Sequence, residues 1–346
     1  MKWDKKKDVI FVAVGHGTMT NGVWDSGSAY GKYTEADLML PIVKAAVSLL
    51  RKSGIRVVTD ADTKNNMNMT ATVAKANKTK NCKLYISVHC DYKDAKSGIM
   101  YYYGSANGKK FGDAVSKYCA KAMGLKFKGG KKDLAKYEVN APTMTSIIYE
   151  SGAIKADLKV LRDHPKKYGR AIAKAICKYV GVPVYVSTRT KLLRQVAKTV
   201  AYMNKHHFKY DMQYKDCGTS WAKAKKTKKS NCATMICYAM QQMGLLKAGQ
   251  IFWITGTKIK CVGKGTRSRL KDEFKITHPK KSPKGAKLKK GVVCGYSPYH
   301  TQLYAGLNKA KKPIWYSWGG SDVGDKQPKR KKSYDTKKVM TALSPK

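Results

Sequence analysis

The chain has no Cys-x-x-Cys pair among its nine cysteines, so it lacks the spacing of a structural zinc knuckle. The count is odd and the spacings form no tight pattern, which argues against a disulfide framework. Most cysteines, such as Cys119 and Cys177 in helical patterns, read as small buried hydrophobes. No apolar run is long enough to cross a bilayer. The run Val9–Val14, which follows a basic start, is too short for a signal-peptide core and has no small-residue cleavage site after it. Acidic residues are scarce: 22 Asp and Glu stand against 70 Lys and Arg, a formal net charge of +48. That surplus is mostly lysine and is spread along the chain. It suits loose attraction to a polyanion, whether nucleic acid, an anionic membrane or an anionic cell wall, and equally suits a solvated surface.

With 346 residues, of which 42% are hydrophobic, the chain has material for two domains with real cores. In the first half three short apolar runs end in residues that do chemistry. Val9–Val14 runs into Gly15-His16-Gly17, Lys83–Val88 into His89, and Ser146–Tyr149 into Glu150. Such runs, bounded by turns, fit strands buried on both faces of a parallel sheet, and ligands sit at the carboxyl ends of such strands. Helical patterns alternate with them. Thr34 caps a helix that carries Glu35 in its first turn and Asp37 at the capping-box position, with Pro41 an awkward residue inside it. Further helices are expected over 70–80, 106–123 and, as one stretch, 158–180. Strands are expected at 55–59 and 99–103, and a basic loop over 126–132. The alternation gives an α/β layer fold with a mostly parallel sheet flanked by helices.

His16, Glu35 and His89 make two imidazoles and a carboxylate with open positions, the donor set of a catalytic zinc site. Glu150 then stands as the general base and acid. A histidine at a strand end or a glutamate in a first helical turn is often merely structural; the matched placement of the four weighs against that, and spacing alone leaves both readings open.

These same stretches, Val14-Gly15-His16-Gly17-Thr18, Thr34-Glu35-Ala36-Asp37-Leu38, Ile86-Ser87-Val88-His89 and Tyr149-Glu150-Ser151-Gly152, resemble the zinc-dependent N-acetylmuramoyl-L-alanine amidases of autolysins and phage endolysins. The resemblance covers about residues 8–181. It implies a Zn2+ cofactor held by His16, Glu35 and His89, Glu150 as catalytic acid/base, and cleavage of the amide between the lactyl group of muramic acid and L-alanine. Asp91 stands where the family often has Asn, and Asp60 where Arg often follows the strand.

The second half, from a linker at 182–190 onward, reads as a smaller α+β domain. Asn231 or Ser230 can cap a helix that starts at Cys232, where the dipole favours a thiolate. A strand begins at His300, and its partner carries Ser317. A thiolate beside a base is a workable nucleophile pair, while a buried cysteine and a surface histidine is the plainer reading. Asn231-Cys232-Ala233, the helix ending Gln242-Met243-Gly244, and His300-Thr301 resemble the papain-like NlpC-type cell-wall cysteine peptidases. That resemblance implies Cys232 as nucleophile, His300 as base and Ser317 in the orienting position, where the family uses a stronger orienter.

Together the resemblances imply a peptidoglycan hydrolase of endolysin type, made in the cytoplasm without a signal peptide and released to the wall at host lysis. Its partners would be peptidoglycan and anionic wall polymers, with no specific nucleic acid. The lysine runs at 280–290 and 326–332 are expected to be solvated or wall-facing. Two alternatives stay open: a second half that is a catalytically silent wall-binding module, and a protein whose charge serves nucleic acid.

Overall fold

Val9–Ala13 is apolar throughout and wholly buried, and a sheet grows on either side of it. In this computed structural model the described residues are 3–62, 66–279, 288–296, 300–308, 310–311, 313–318, 329–331 and 341–346. The chain divides into two compact units, Met1–Tyr185 and Val186–Lys346.

The first unit runs β1 (Val9–Ala13), a short hairpin β2 (Ala29–Tyr30) and β3 (Tyr33–Thr34), α1 (Glu35–Lys52), β4 (Arg56–Thr59), α2 (Met69–Lys78), β5 (Cys82–Asp91) and β6 (Ile99–Tyr103). It continues with α3 (Ala106–Met123), β7 (Phe127–Lys132), α4 (Tyr137–Asn140), β8 (Thr145–Ala153), α5 (Leu158–Asp163) and α6 (Pro165–Tyr179). The sheet order is β4-β1-β5-β8-β6-β7. All pairs are parallel except β6 with β8. Successive side chains of a strand face opposite ways, and the cores follow that period. Ile10, Val12, Leu84, Ile86 and Val88 pack with α1, α3 and α6, whereas Phe11, Ala13 and Tyr85 pack with Val73 and Ala76 of α2. The unit is therefore an α/β layer fold with helices on both faces.

Local signals explain most boundaries. Thr34 Oγ accepts the Asp37 N–H at 3.3 Å and donates to Asp37 Oδ2 at 2.7 Å, which starts α1. Pro41 sits inside α1 on an exposed position, and the helix continues through it. At Gly169 α6 comes so close to α1 that a Cβ would lie 2.1 Å from the Ile42 carbonyl oxygen. Two expectations need correction. Residues 158–180 are not one helix: α5 stops at Asp163 and α6 restarts at Pro165, because proline has no N–H to continue the ladder and disfavours helix in the residue before it. The basic stretch 126–132 is not a loop but edge strand β7, parallel to β6. Phe127 stacks on Tyr101 with ring centroids 6.4 Å apart, and a Cβ on Gly130 would meet the Tyr101 ring at 2.2 Å. Its exposed lysines guard the free edge against further pairing.

The second unit is β-rich. It contains α7 (Thr188–Lys205), β9 (Lys209–Tyr210), α8 (Tyr214–Cys217), α9 (Trp221–Thr227), β10 (Lys229–Ser230), α10 (Cys232–Gln242), the hairpin β11 (Ile251–Thr255) and β12 (Lys258–Val262), and α11 (Thr266–Glu273). Then follow β13 (Phe274–Thr277), β14 (Val293–Tyr296), β15 (His300–Leu307), β16 (Pro313–Ser317), β17 (Lys329–Lys331) and β18 (Thr341–Pro345). The last six strands form one antiparallel sheet in the order β13-β18-β14-β15-β16-β17. Its core joins Leu192 and Val196 of α7 to Met235, Ile236 and Met240 of α10 and to Leu303 and Leu343 of the sheet. Most of the two expected lysine runs lies outside the described residues; 329–331 form β17. Among the described residues no helix is long and apolar enough to cross a membrane.

Candidate functional site

β1, β5 and β8 are neighbours in the sheet, so their carboxyl ends meet, and α1 starts beside them. His89 and Glu150 are paired in register across β5 and β8. His16 follows β1 on a turn opened by Gly15, whose φ is +88°. Any larger residue there would collide: a Cβ on Gly15 would lie 2.6 Å from the His89 ring. A Cβ on Gly27 would lie 2.6 Å from the His16 ring and 2.7 Å from Glu35 Oε2. The two glycines thus leave the room that the rings and carboxylate occupy.

One ligand atom from each of His16, Glu35 and His89 falls within 4.8 Å of the others. Glu35 Oε1 lies 2.9 Å from His89 Nδ1 and 3.5 Å from His16 Nε2, and it accepts the Cys90 N–H at 2.9 Å. Glu35 Oε2 accepts the Ser28 N–H at 3.0 Å. Each ring has a carboxylate at its other nitrogen. His16 Nδ1 is 2.8 Å from Asp25 Oδ2, and His89 Nε2 is 2.9 Å from Glu138 Oε2. Two imidazole nitrogens and one carboxylate oxygen facing one point, with the far nitrogens held by carboxylates, are donors that suit zinc. The residues present therefore fit that metal.

The carboxylates around this point are pushed in opposite directions. Burial works against charge on Glu35, but the His89 and His16 rings and the Ser28 amide outweigh it and hold the carboxyl below its usual range. Burial likewise opposes charge on Glu138, and His89, Ser87 and Tyr85 outweigh it. Burial also opposes charge on His89, but Glu138 and Glu35 raise it well above the usual histidine range. Glu150 differs: burial pushes it up to about 8, with His89 only partly offsetting this. Its Oε2 is buried without a hydrogen-bond partner in the protein. Carboxylates driven apart in this way divide into a charged ligand and a proton carrier. The groups open onto a cavity of ≈ 420 Å³ that Lys136, Tyr102 and Asp91 also line.

Residues 10–181 match the Amidase_3 family model, N-acetylmuramoyl-L-alanine amidase. The first unit is an N-acetylmuramoyl-L-alanine amidase domain. The amidase domain is similar to AmiC2 of Nostoc punctiforme, at 24% identity over 51% of this chain and 98% of that one, TM-score 0.45. It is similar to the catalytic domain of CwlV from Bacillus (Paenibacillus) polymyxa, at 23% over 51% and 99%, TM-score 0.45. It is also similar to an amidase from Clostridium difficile, at 20% over 51% and 97%, TM-score 0.44. No curated protein matches the chain.

Two side chains that hold the rings of this cluster escaped the sequence. Asp25 sits in a glycine-rich loop, and Glu138 sits on the four-residue α4, too short for any periodicity to mark it. Asp60 takes a structural place: its Oδ1 accepts the Val14 N–H at 3.1 Å and its Oδ2 the Met67 N–H at 3.0 Å, tying the end of β1 to the loop before α2. Asp91 ends β5, 3.5 Å from the Lys128 ammonium.

In the second unit Cys232 is the first residue of α10. Asn231 caps that helix, accepting the Ala233 and Thr234 N–H groups at 3.1 and 2.9 Å, and Thr234 completes the capping box. His300 opens β15, and its Nε2 lies 2.7 Å from Oγ of Ser317, the last residue of β16. The Thr301 amide, next to His300 in the chain, and the Tyr210 hydroxyl both act on the Cys232 thiol in the sense that lowers its pKa. The thiol and the backbone that carries the imidazole therefore adjoin. The expected low thiol pKa is a correction: Cys232 is 7% exposed, and burial raises its pKa despite the helix start, the Thr301 amide and Tyr210. Loss of hydration outweighs the dipole here.

Proposed function

We propose that the amidase domain is a zinc enzyme that cuts the amide between the lactyl group of muramic acid and L-alanine. The observation that carries the reading is the meeting of His16, Glu35 and His89 within 4.8 Å, beside a Glu150 whose carboxyl is pushed up to about 8. The family is typically zinc-dependent. The metal, when bound, supplies a Lewis acid that polarises the amide carbonyl and lowers the pKa of a water. The chain does the rest. Asp25 and Glu138 fix the two rings, and Glu35 holds its place through the Cys90 and Ser28 amides. Glu150 Oε2 takes the proton from the attacking water and returns it to the leaving amine. Held by His16, Glu35 and His89, the metal's charge would favour the ionised Glu150, whose Oε2 is then the acceptor. The test is mass spectrometry of peptidoglycan digested with zinc-loaded wild type and Glu150→Ala: the wild type frees stem peptides with an amino-terminal alanine, and the variant does not.

A second reading concerns the second unit. We propose a Cys/His site that cuts within stem peptides, with Cys232 as nucleophile, His300 as base and Ser317 as orienter. It is supported by the 2.7 Å His300–Ser317 contact and by the Thr301 amide acting on the Cys232 thiol. The rival, a silent wall-binding module, draws support from the raised thiol. Cys232→Ala separates them, since unchanged cleavage products mean the module. The whole chain then acts as an endolysin-type hydrolase, made in the cytoplasm and released to the wall at lysis. Its +48 charge is suited to anionic wall polymers.

A further inference from the structure

The His89 ring is held from both sides. Its Nδ1 faces Glu35 Oε1 at 2.9 Å, and its Nε2 faces Glu138 Oε2 at 2.9 Å with Ser87 Oγ at the same distance. Glu138 comes from none of the elements that bear the metal-ligand candidates; it is carried by α4. It is 2% exposed, and no lysine or arginine forms an ion pair with it among the described residues. Burying a carboxylate without such a cation is costly unless every oxygen is satisfied. Here both oxygens are. Oε2 meets the imidazole, and Oε1 accepts from the Tyr85 hydroxyl at 2.7 Å. Tyr85 is in turn 3.0 Å from Thr72 Oγ, and both are fully buried. The chain Thr72, Tyr85, Glu138, His89 therefore links α2, β5 and α4 and ends on one nitrogen of one ring.

His16 has the mirror arrangement. Its Nε2 faces Glu35, and its Nδ1 meets Asp25 Oδ2 at 2.8 Å. The two rings thus turn opposite nitrogens to Glu35, and each has its own carboxylate behind it. The carboxylates are not equal: the Asp25 side chain is 28% exposed and that of Glu138 2%. A charge shielded from water acts more strongly on its partner.

We propose that Glu138, braced by Tyr85, is the positioning residue that fixes the tautomer and orientation of His89, keeping its proton on Nε2 and turning Nδ1 to the metal. A carboxylate behind a ligand imidazole raises the ring's donor strength and holds its angle, and loss of such a partner typically costs about 10–100-fold in metal affinity. The proposal rests on the zinc reading of His16, Glu35 and His89.

The test is zinc affinity of the full chain, measured by competition with a chromogenic chelator for wild type, His16→Ala, Glu138→Ala and Glu138→Gln, alongside Co2+ absorption spectra and melting temperatures of the metal-free proteins. Wild type binding one zinc that His16→Ala loses establishes the site. Glu138→Ala then weakens zinc about 10–100-fold, and Glu138→Gln, which keeps an acceptor and a near-identical shape without the charge, about tenfold. The Co2+ spectrum shifts in both variants, a change that a merely structural loss does not produce. Should Glu138→Ala fail to fold, Glu138→Gln decides alone. If the wild type binds one zinc and Glu138→Gln binds it with unchanged affinity and spectrum, the Glu138 proposal falls while the zinc reading stands. If the wild type binds no zinc, or His16→Ala binds as the wild type does, the zinc reading itself falls.

Discussion

The two units bury different kinds of polar group. The amidase domain buries Asp8, Glu35, Asp60, His89, Glu138 and Asp157. The second unit, among its described residues, buries no Asp, Glu, Lys, Arg or His, only hydroxyl and amide side chains such as Ser230, Asn231, Thr301 and Ser317. Withdrawing a charge from water costs several kcal/mol before any partner is counted. The amidase domain offsets that cost by setting imidazole against carboxylate around one point. In the second unit the corresponding groups are a thiol and a hydroxyl, and the ring of His300 rests on Ser317. The difference teaches where a strong chemical signal lies: in ionised groups that the fold keeps although hydrophobic ones would be cheaper.

The largest effect expected is at Glu150. Glu150→Gln should lower cleavage of the muramoyl–alanine amide by about 10²–10⁴-fold, the usual worth of a positioned acid/base, with zinc content unchanged. If turnover of the zinc-loaded variant stays within a factor of a few of wild type, Glu150 is not the proton carrier.

The next effect belongs to Asp60. Burial raises its carboxyl from 3.8 to about 6 against the pull of the Met67 and Val14 amides. The folded chain therefore keeps a proton that the unfolded chain has already lost. The stabilising contribution is full below the unfolded value and is lost as pH rises through about 6, a loss of about 3 kcal/mol for two pKa units. Unfolding free energies of wild type and Asp60→Asn, measured from pH 4 to 7, should diverge by about that amount in favour of the variant. A difference that does not change with pH contradicts the account. Among its described residues the second unit buries no carboxylate, so no such trend is expected from them.

A sharper view of the comparison comes from Cys232. With its thiol raised by burial, the thiolate at pH 7 should fall below the few per cent of an unperturbed cysteine. Alkylation of Cys232 by iodoacetamide, followed by peptide mapping, should be slow at pH 7 and accelerate above pH 9. Fast labelling at pH 7 would show that the thiol works as an activated nucleophile and would break the contrast between the units. The smallest effect is at Ser317: removing its hydroxyl deletes one hydrogen bond, about 1 kcal/mol. Ser317→Ala should cut any Cys232-dependent peptide cleavage by about tenfold or less and leave the amide products alone.

The meeting of His16, His89 and Glu150 was largely legible because the strands that lead to them are short apolar runs that stop at a chemical residue. β1, β5 and β8 are buried on both faces, so Val9–Ala13 and Leu84–Val88 leave little other reading. The α1 start was legible because Thr34 and Asp37 cap it locally. What stayed hidden depends on tertiary contacts. β7 reads as a basic loop because its backbone ladder to β6 leaves no mark in the sequence and Phe127, stacked on Tyr101, is the one large apolar side chain among its lysines and glycines. Glu138 is invisible because its meaning lies in a ring 49 positions away. The break at His164 was written in Pro165, but the apolar face running through both helices concealed it. In the second unit the cap at Asn231 and the strand at His300 were readable, whereas the burial that raises the Cys232 thiol was not.

The most direct test of the central claim is mass spectrometry of purified peptidoglycan after digestion by the zinc-loaded chain. Stem peptides with a free amino-terminal alanine and glycan strands with a newly freed lactyl carboxylate are the expected products, both absent with Glu150→Ala. Wild type that carries one zinc per chain and releases neither product would contradict it.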